Sequence, residues 1–580
     1  MGREFPRRFL PDHLELDSWH VIAPYFEALR VSQPDSAAAL EDWLLKYSEL
    51  SACVSEERGR RYIAFSRNTA DASTRERYTQ FLEQIDPSVK SAVQLLDRKL
   101  IERADALGFS TARYQVLLRN VRADLRTFKE ENIPLQTRCS ALENEYQETL
   151  GAMTVNLEGR ELTMAELGPY YENPDRTVRE RIWKLEAARR LADRAKLDHL
   201  FSELVQLRHA IAVNAGFSNY LEFAFVQLRR FDYSPQDCET FHAALESQVV
   251  PLTRAAQDRR RQLLGIDTLR PWDHWWPWYY GLDPEGRPAL KPVEDGAALL
   301  EGCLRVLERV DSELRQQLCE MRDRGDLDLD ARKGKAPGAY SYCLDEVRRP
   351  FIFMNSAGIQ KDVETLLHEA GHSFHSLACR SEPLIEYRSA PIEFCEVASM
   401  TMELFGSEFF EQFYTPQDAS RARMRMLEGI IEFLRWAPQI DAFQHWIYTN
   451  PGHSSADRNA KWIELDRRFS PQFAWDGFED FRASYWQRQT HLFTSPFYYI
   501  EYAIAQLGAL QIWLNFKQRG REAVNSYKEA LALGGSVALP QLFEAAGARF
   551  DFSAECLQRL VGALASAVLK MNRHENGCES

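Results

Sequence analysis

The alternation of apolar and polar positions along this chain is helical almost throughout. From Ala37 to about Asp267, apolar residues recur at three- and four-residue spacing in charged stretches such as LEDWLLKYSEL and SVKSAVQLLDRKLIERADALG, the signature of amphipathic helices. Turn signals at Glu172-Asn173-Pro174-Asp175 and at Ser234-Pro235 punctuate helices rather than introduce strands. Between Thr268 and Pro292 the pattern breaks into TLRPWDHWWPWYYGLDPEGRP. This aromatic segment predicts a loop or hairpin packed on a core, with a substrate-lining role as the alternative.

Helical spacing resumes to about Asp326, after which RKGKAPGAYSYCLDEVRRPFIFMNSAG reads as strand, turn and strand. Tyr340–Cys343 and Phe351–Met354 are β-prone and bounded by Gly, Pro and charged turn residues. A small sheet is therefore expected just before the next helix. Beyond Pro391 long helical patterns return and end near Lys570, ahead of the polar tail NRHENGCES. A length of 580 residues exceeds a single core. The expected division is an N-terminal helical lobe over 1–200, a larger domain over 201–570 and a tail over 571–580.

Charge and composition narrow the class. A formal charge of -14 disfavours nucleic acid as a partner, since phosphate binding needs clustered Lys and Arg. Ten cysteines without a CxxC pair, and no apolar signal core in MGREFPRRFLPDHLELD, predict a reduced, cytoplasmic protein with free thiols. No apolar run approaches the roughly 20 residues that span a bilayer, so no membrane segment is expected.

The candidate chemistry lies in TLLHEAGHSFH, residues 365–375. Asp362 to about Cys379 contains no proline and carries apolar faces, so a helix is predicted there. His368 and His372 then sit one turn apart on one face, able to share a metal ion, while Glu369 is rotated by about 100° towards a metal-bound water. Gly371 costs up to about 1 kcal/mol in a helix interior and predicts a close approach of neighbouring backbone. His375 would lie about 10.5 Å from His368 along a straight helix, too far for tetrahedral coordination beside His372, and is assigned to packing or to an outer role. The long metzincin signature needs Gly and His where this sequence has His375 and Ala378, which excludes that class.

A third ligand must come from elsewhere. Two carboxylates compete in PIEFCEVASMTMELF. Glu393 lies in a first helical turn, where its charge suits the dipole without a metal. Glu396 lies within the apolar run FCEVASM, where an unpaired carboxylate is costly to bury. Glu396 is therefore the expected ligand, with Glu393 as the alternative or as a group orienting a histidine. The ligand types favour zinc, one ion per chain.

With these residues in hand, the sequence resembles the M3 family of zinc oligopeptidases, most closely its oligoendopeptidase F and Pz-peptidase-like branch. KAPGAYSY, PFIFMN, DVETLLHEAGHSFH, the glutamate of FCEVASMTMEL and SPFYYIEYAIAQLGALQIW carry the likeness in order over about residues 333–515. The resemblance implies a mainly α, two-lobed, clam-shaped fold with a small sheet beside the HExxH helix and zinc at the bottom of a deep channel that admits oligopeptides. It agrees with His368, His372 and Glu396 as ligands and Glu369 as general base. It also implies that a downstream histidine and tyrosines contact substrate and the developing oxyanion, here His491, Tyr499 and Tyr502 in HLFTSPFYYIEYAIAQ. The spacing from His491 is one residue shorter than in some members, so Tyr498 can exchange roles with Tyr499. The strand Phe351–Met354 is expected to pair with extended substrate. The implied activity is zinc endopeptidase action on short peptides. The alternatives are dipeptidyl trimming by an exopeptidase and a non-catalytic peptide-binding helical protein.

Overall fold

The computed structural model of the chain describes residues 4–109, 111–273, 283, 287–470 and 473–575. Helices dominate, as the periodicity predicts. The turn signals mark helix starts. Asp175 accepts a hydrogen bond from the Thr177 amide at the head of Arg176–Ala192, and Ser234 and Asp237 form a reciprocal cap at the head of Pro235–Gln248. The last helix, Ala554–Glu575, runs past Lys570, and the remainder of the polar tail lies outside the described residues.

Two strands interrupt the region dominated by helical periodicity. Thr154–Leu157 and Arg160–Thr163 form an antiparallel hairpin around Glu158 and Gly159, both at positive φ. Glu-Gly is a weak hairpin signal beside Asn-Gly or Asp-Gly, which is why the helical pattern on either side masks it. The start of the aromatic segment packs as expected: Trp272 lies against Trp183 and Phe478, and Asp273 is buried against Arg176 and Arg179. Residues 274–282 and 284–286 of that segment lie outside the described residues.

The chain groups into two compact units, neither of them one continuous stretch. The first comprises Met1–Arg126, Lys291–Ala419 and Gly508–Phe550; the second comprises Thr127–Leu290, Ser420–Leu507 and Asp551–Ser580. The division expected at 200/201 falls inside the helix Arg194–Asn214, within the second unit. Sequence order cannot reveal such interleaving, because each unit closes its core with segments far apart in the chain.

In the first unit a three-stranded sheet lies beside the HExxH helix, Gln360–Ala378. Its middle strand, Arg349–Ser356, pairs in parallel with Leu327–Asp330 and antiparallel with Tyr340–Leu344. Both edges of the Phe351–Met354 strand are thus occupied, and it offers no ladder to a substrate. This corrects the expectation: Leu327–Asp330, which lies between the predicted helical stretch and the predicted strands, takes that edge, while among the described residues Tyr340–Leu344 has one side unpaired within the sheet. Among the described residues no helix is long and apolar enough to cross a membrane, and no disulfide joins the described cysteines.

Candidate metal centre

The HExxH helix is fixed at its head and along one face. Asp362 accepts hydrogen bonds from the amides of Ala357 and Ile359 at 2.8 and 3.0 Å, which caps the first turn with a negative charge. Val363, Leu366, Leu367 and Phe374 are buried, each contributing roughly 1.5–3 kcal/mol of apolar burial. The opposing helix, Ile392–Ser407, crosses at Gly371. A Cβ on residue 371 would lie 2.7 Å from Ala398 O and 2.7 Å from Ser399 Cα. The close backbone approach predicted from this glycine is therefore present, and it brings Glu396 over the histidines.

Ligand atoms of His368, His372 and Glu396 all lie within 4.8 Å of one another. Glu396 Oε2 is 3.4 Å from His368 Nε2 and 3.7 Å from His372 Nε2, and it accepts a hydrogen bond from Ser399 Oγ at 3.1 Å. Glu396 is buried, whereas the two imidazoles are about one-fifth exposed. Glu393 is also buried but stands outside this donor group. So does His375, whose buried ring lies edge-on to Phe394 with centroids 6.3 Å apart.

The sequence reading missed Glu403. His368 Nδ1 donates to Glu403 Oε1 at 2.6 Å, which leaves the lone pair of a neutral His368 on Nε2, the atom that faces Glu396. Glu403 stands seven residues, or two turns, after Glu396 on the same helix face, and that spacing was the available signal. Burial opposes a charge on His368, but Glu403, Glu396 and Glu369 outweigh it and raise its pKa to about 9. Burial and the charge of His368 hold His372 down to about 3. Glu369 is buried, and that burial pushes its carboxyl up to about 7; His368 opposes the shift while Glu396 and Glu403 add to it. Three carboxylates thus surround two imidazoles, an excess of negative charge that a divalent cation would neutralise. Two imidazole nitrogens and one carboxylate oxygen are also a standard donor set for catalytic zinc.

The other expected residues cluster in the second unit. Ring centroids of His491 and Tyr498, Tyr499 and Tyr502 are 6.0, 5.0 and 6.3 Å apart, and Tyr498 and Tyr502 are 4.9 Å apart. Tyr499 is buried against Phe433, whereas Tyr498 and Tyr502 are partly exposed. Tyr498 follows Phe497, a non-glycine residue at φ 68°, a conformation costing on the order of 1–3 kcal/mol. That turn is held by its neighbours. Gln444 accepts from the Phe497 amide at 2.6 Å, and Arg230 donates to the Phe497 carbonyl at 2.6 Å and to Glu501 at 2.7 Å. A further chain fixes His491: Trp436 Nε1 donates to Gln489 Oε1 at 3.2 Å, and Gln489 Nε2 donates to His491 Nδ1 at 2.8 Å. An amide nitrogen can only donate, so the ring proton of His491 sits on Nε2. Burial lowers its pKa to about 4, which makes it a neutral donor at pH 7.

Comparison with known proteins gives a consistent picture. The profile described as Peptidase family M3 matches residues 169–562. An oligoendopeptidase F homolog of Lactococcus lactis subsp. lactis (strain IL1403) is 26% identical over 229 residues, covering 38% of this chain and 36% of the relative. Oligopeptidase PepF of Bacillus subtilis (strain 168) is 26% identical over 213 residues, covering 36% of this chain and 32% of the relative. These alignments span about a third of the length of the curated relatives. The solved structure of Pz peptidase A with an inhibitor is similar over 98% of this chain and 99% of its own, with a TM-score of 0.84 and 28% identity.

Proposed function

Because this chain belongs to peptidase family M3, we propose that it is a zinc-dependent endopeptidase that hydrolyses internal bonds of short, unstructured oligopeptides. The observation that carries this reading is the convergence of His368, His372 and Glu396 within 4.8 Å, with the buried carboxyl of Glu369 beside them. One zinc ion held by those three side chains would acidify a water molecule and polarise the substrate carbonyl. Glu369 takes the proton from the attacking water and delivers it to the leaving amine. Glu403 fixes the tautomer of His368, so that Nε2 faces the site.

The roles of His491, Tyr498, Tyr499 and Tyr502 as contacts of the peptide rest on the family resemblance. Within that cluster, exposure favours Tyr502 and Tyr498 as donors to the developing oxyanion, with Tyr499 as a buried support. His491 contributes its Nε2–H. Strand addition at the unpaired side of Tyr340–Leu344 would engage the substrate backbone with little demand on side chains.

The test is hydrolysis of an internally quenched peptide of about ten residues, blocked at both ends. Cleavage abolished by a chelator and restored by zinc is expected. Cleavage confined to peptides with a free terminus would make the protein an exopeptidase. Zinc-loaded protein that binds peptide without cutting it would make it a binding protein.

A further inference from the structure

A second set of metal-type donors lies wholly inside the second unit. Cys238 and His242 are four residues apart on the helix Pro235–Gln248, and Asp441 and His445 are four apart on Pro416–Thr449. Each pair therefore shares one helix face. Ligand atoms of Cys238, Asp441 and His445 all lie within 4.8 Å of one another, and His242 Nε2 is 2.8 Å from Asp441 Oδ2. All four residues are more than nine-tenths buried.

Hydrogen bonding within the group leaves it unsatisfied. His445 Nε2 stands 3.2 Å from Asp441 Oδ2 in an ion-pair contact. Among the described residues neither His445 Nδ1 nor Asp441 Oδ1 finds a hydrogen-bond partner. The His445 ring is flanked edge-on by Phe225 and Phe497, so these polar atoms sit in an aromatic surround. Buried imidazole and carboxylate atoms without partners are expensive, and such exceptions call for an ion or another ligand.

We propose that Cys238, His242, Asp441 and His445 bind a second metal ion, a structural zinc that ties the helix Pro235–Gln248 to the helix Pro416–Thr449. A thiolate, a carboxylate and two imidazoles form a zinc-type donor set. Two facing i,i+4 pairs supply four protein ligands, which leaves no open position for a substrate or reactive water. Binding releases the proton of the Cys238 thiol and shifts the His242 ring proton from Nε2 to Nδ1, so that the His242–Asp441 hydrogen bond gives way to coordination by both groups. The HExxH site contains no thiolate, and this difference gives the two sites separate signatures.

The test counts metal per full-length chain and uses cobalt as a spectroscopic probe. Wild-type protein is expected to hold two zinc equivalents. His368→Ala/His372→Ala should lose one of them, and Cys238→Ser or His445→Ala the other. Loaded with cobalt(II), wild type and His368→Ala/His372→Ala should both show a thiolate-to-cobalt charge-transfer band, and Cys238→Ser should lack it. If Cys238→Ser does not fold, the band in the other two proteins decides alone. A single zinc equivalent that His368→Ala/His372→Ala removes, with no thiolate band from folded protein, overturns the proposal and leaves a packed hydrogen-bonded group. Peptide hydrolysis plays no part in these readouts, so failure of the endopeptidase reading would leave the count of ions unaffected.

Discussion

Glu403 Oε1 accepts a hydrogen bond from His368 Nδ1 at 2.6 Å, and this one contact decides which nitrogen of the imidazole faces Glu396. Replacing Glu403 with Gln weakens both that preference and the charge that raises His368. Zinc affinity is expected to fall about 10–100-fold. Competition with a chelator of known affinity measures this directly, and Glu403→Gln protein that holds zinc as tightly as wild type would show the contact to be incidental.

The proposed role of Glu369 separates metal binding from proton transfer. Its carboxyl belongs to the HExxH helix but not to the donor group of His368, His372 and Glu396. Glu369→Gln is therefore expected to keep stoichiometric zinc while kcat falls by roughly 10²–10⁴. Metal analysis and turnover of the quenched peptide, made on the same preparation, test both halves. Glu396→Ala should show the opposite pattern, losing zinc, whereas Glu393→Ala keeps it.

Gly371 is the position where helix packing and the site meet. A methyl group there would stand 2.7 Å from Ala398 O, backbone that cannot yield as a flexible side chain would. Gly371→Ala gains helix propensity of about 1 kcal/mol but must part the two helices that carry His368, His372 and Glu396. Overpacking of this kind costs about 1–3 kcal/mol or more. The expected outcome is a lower unfolding midpoint together with weaker zinc binding. A midpoint raised above wild type would mean that the helices do not approach this closely.

What was legible in the sequence was local, and what was hidden was long-range. His368, Glu369 and His372 declare themselves because one helical turn fixes their relation, and Gly371 because a glycine in a helix interior needs a neighbour. Glu403 is an ordinary acidic residue until the partner helix is in place, although its two-turn spacing from Glu396 was visible. The chain from Trp436 through Gln489 to His491 crosses more than fifty residues and has no sequence signature. β-propensity located Phe351–Met354 but not its rank in the sheet. The short strand Leu327–Asp330 pairs in parallel across a long connection, and it turned an expected edge into the centre.

His491 gives a pH prediction. A histidine in the unfolded chain titrates near 6.5, and burial holds this one down to about 4. Between those values the unfolded chain binds a proton that the folded protein excludes, so stability is complete above about 6.5 and declines as the pH falls towards 4. At pH 5 this site should cost on the order of 2 kcal/mol relative to pH 7. His491→Gln removes the titration, so its unfolding midpoint should drop less than that of wild type between pH 7 and pH 5. Equal drops would place the acid sensitivity in other buried histidines, such as His375.

Tyr499 and Tyr502 share a helix face but differ in exposure, and the proposed roles differ accordingly. Tyr502 is partly exposed beside Tyr498, whereas Tyr499 is buried against Phe433. A phenol that donates to a developing oxyanion must reach the reacting carbonyl, and losing one such donor costs about 10²–10³ in kcat. Tyr502→Phe is expected to lose turnover on that scale with little change in KM, since the interaction strengthens only in the transition state. Tyr498→Phe should lose less, and Tyr499→Phe should mainly lower stability, by roughly 1 kcal/mol, through loss of the buried polar contacts of its phenol with Trp436 and Gln489. Steady-state kinetics on the end-blocked peptide, paired with thermal unfolding, separates the three. A large kcat loss in Tyr499→Phe with Tyr502→Phe unaffected would reverse the assignment, because a phenol sealed in the core cannot meet a substrate unless this turn rearranges.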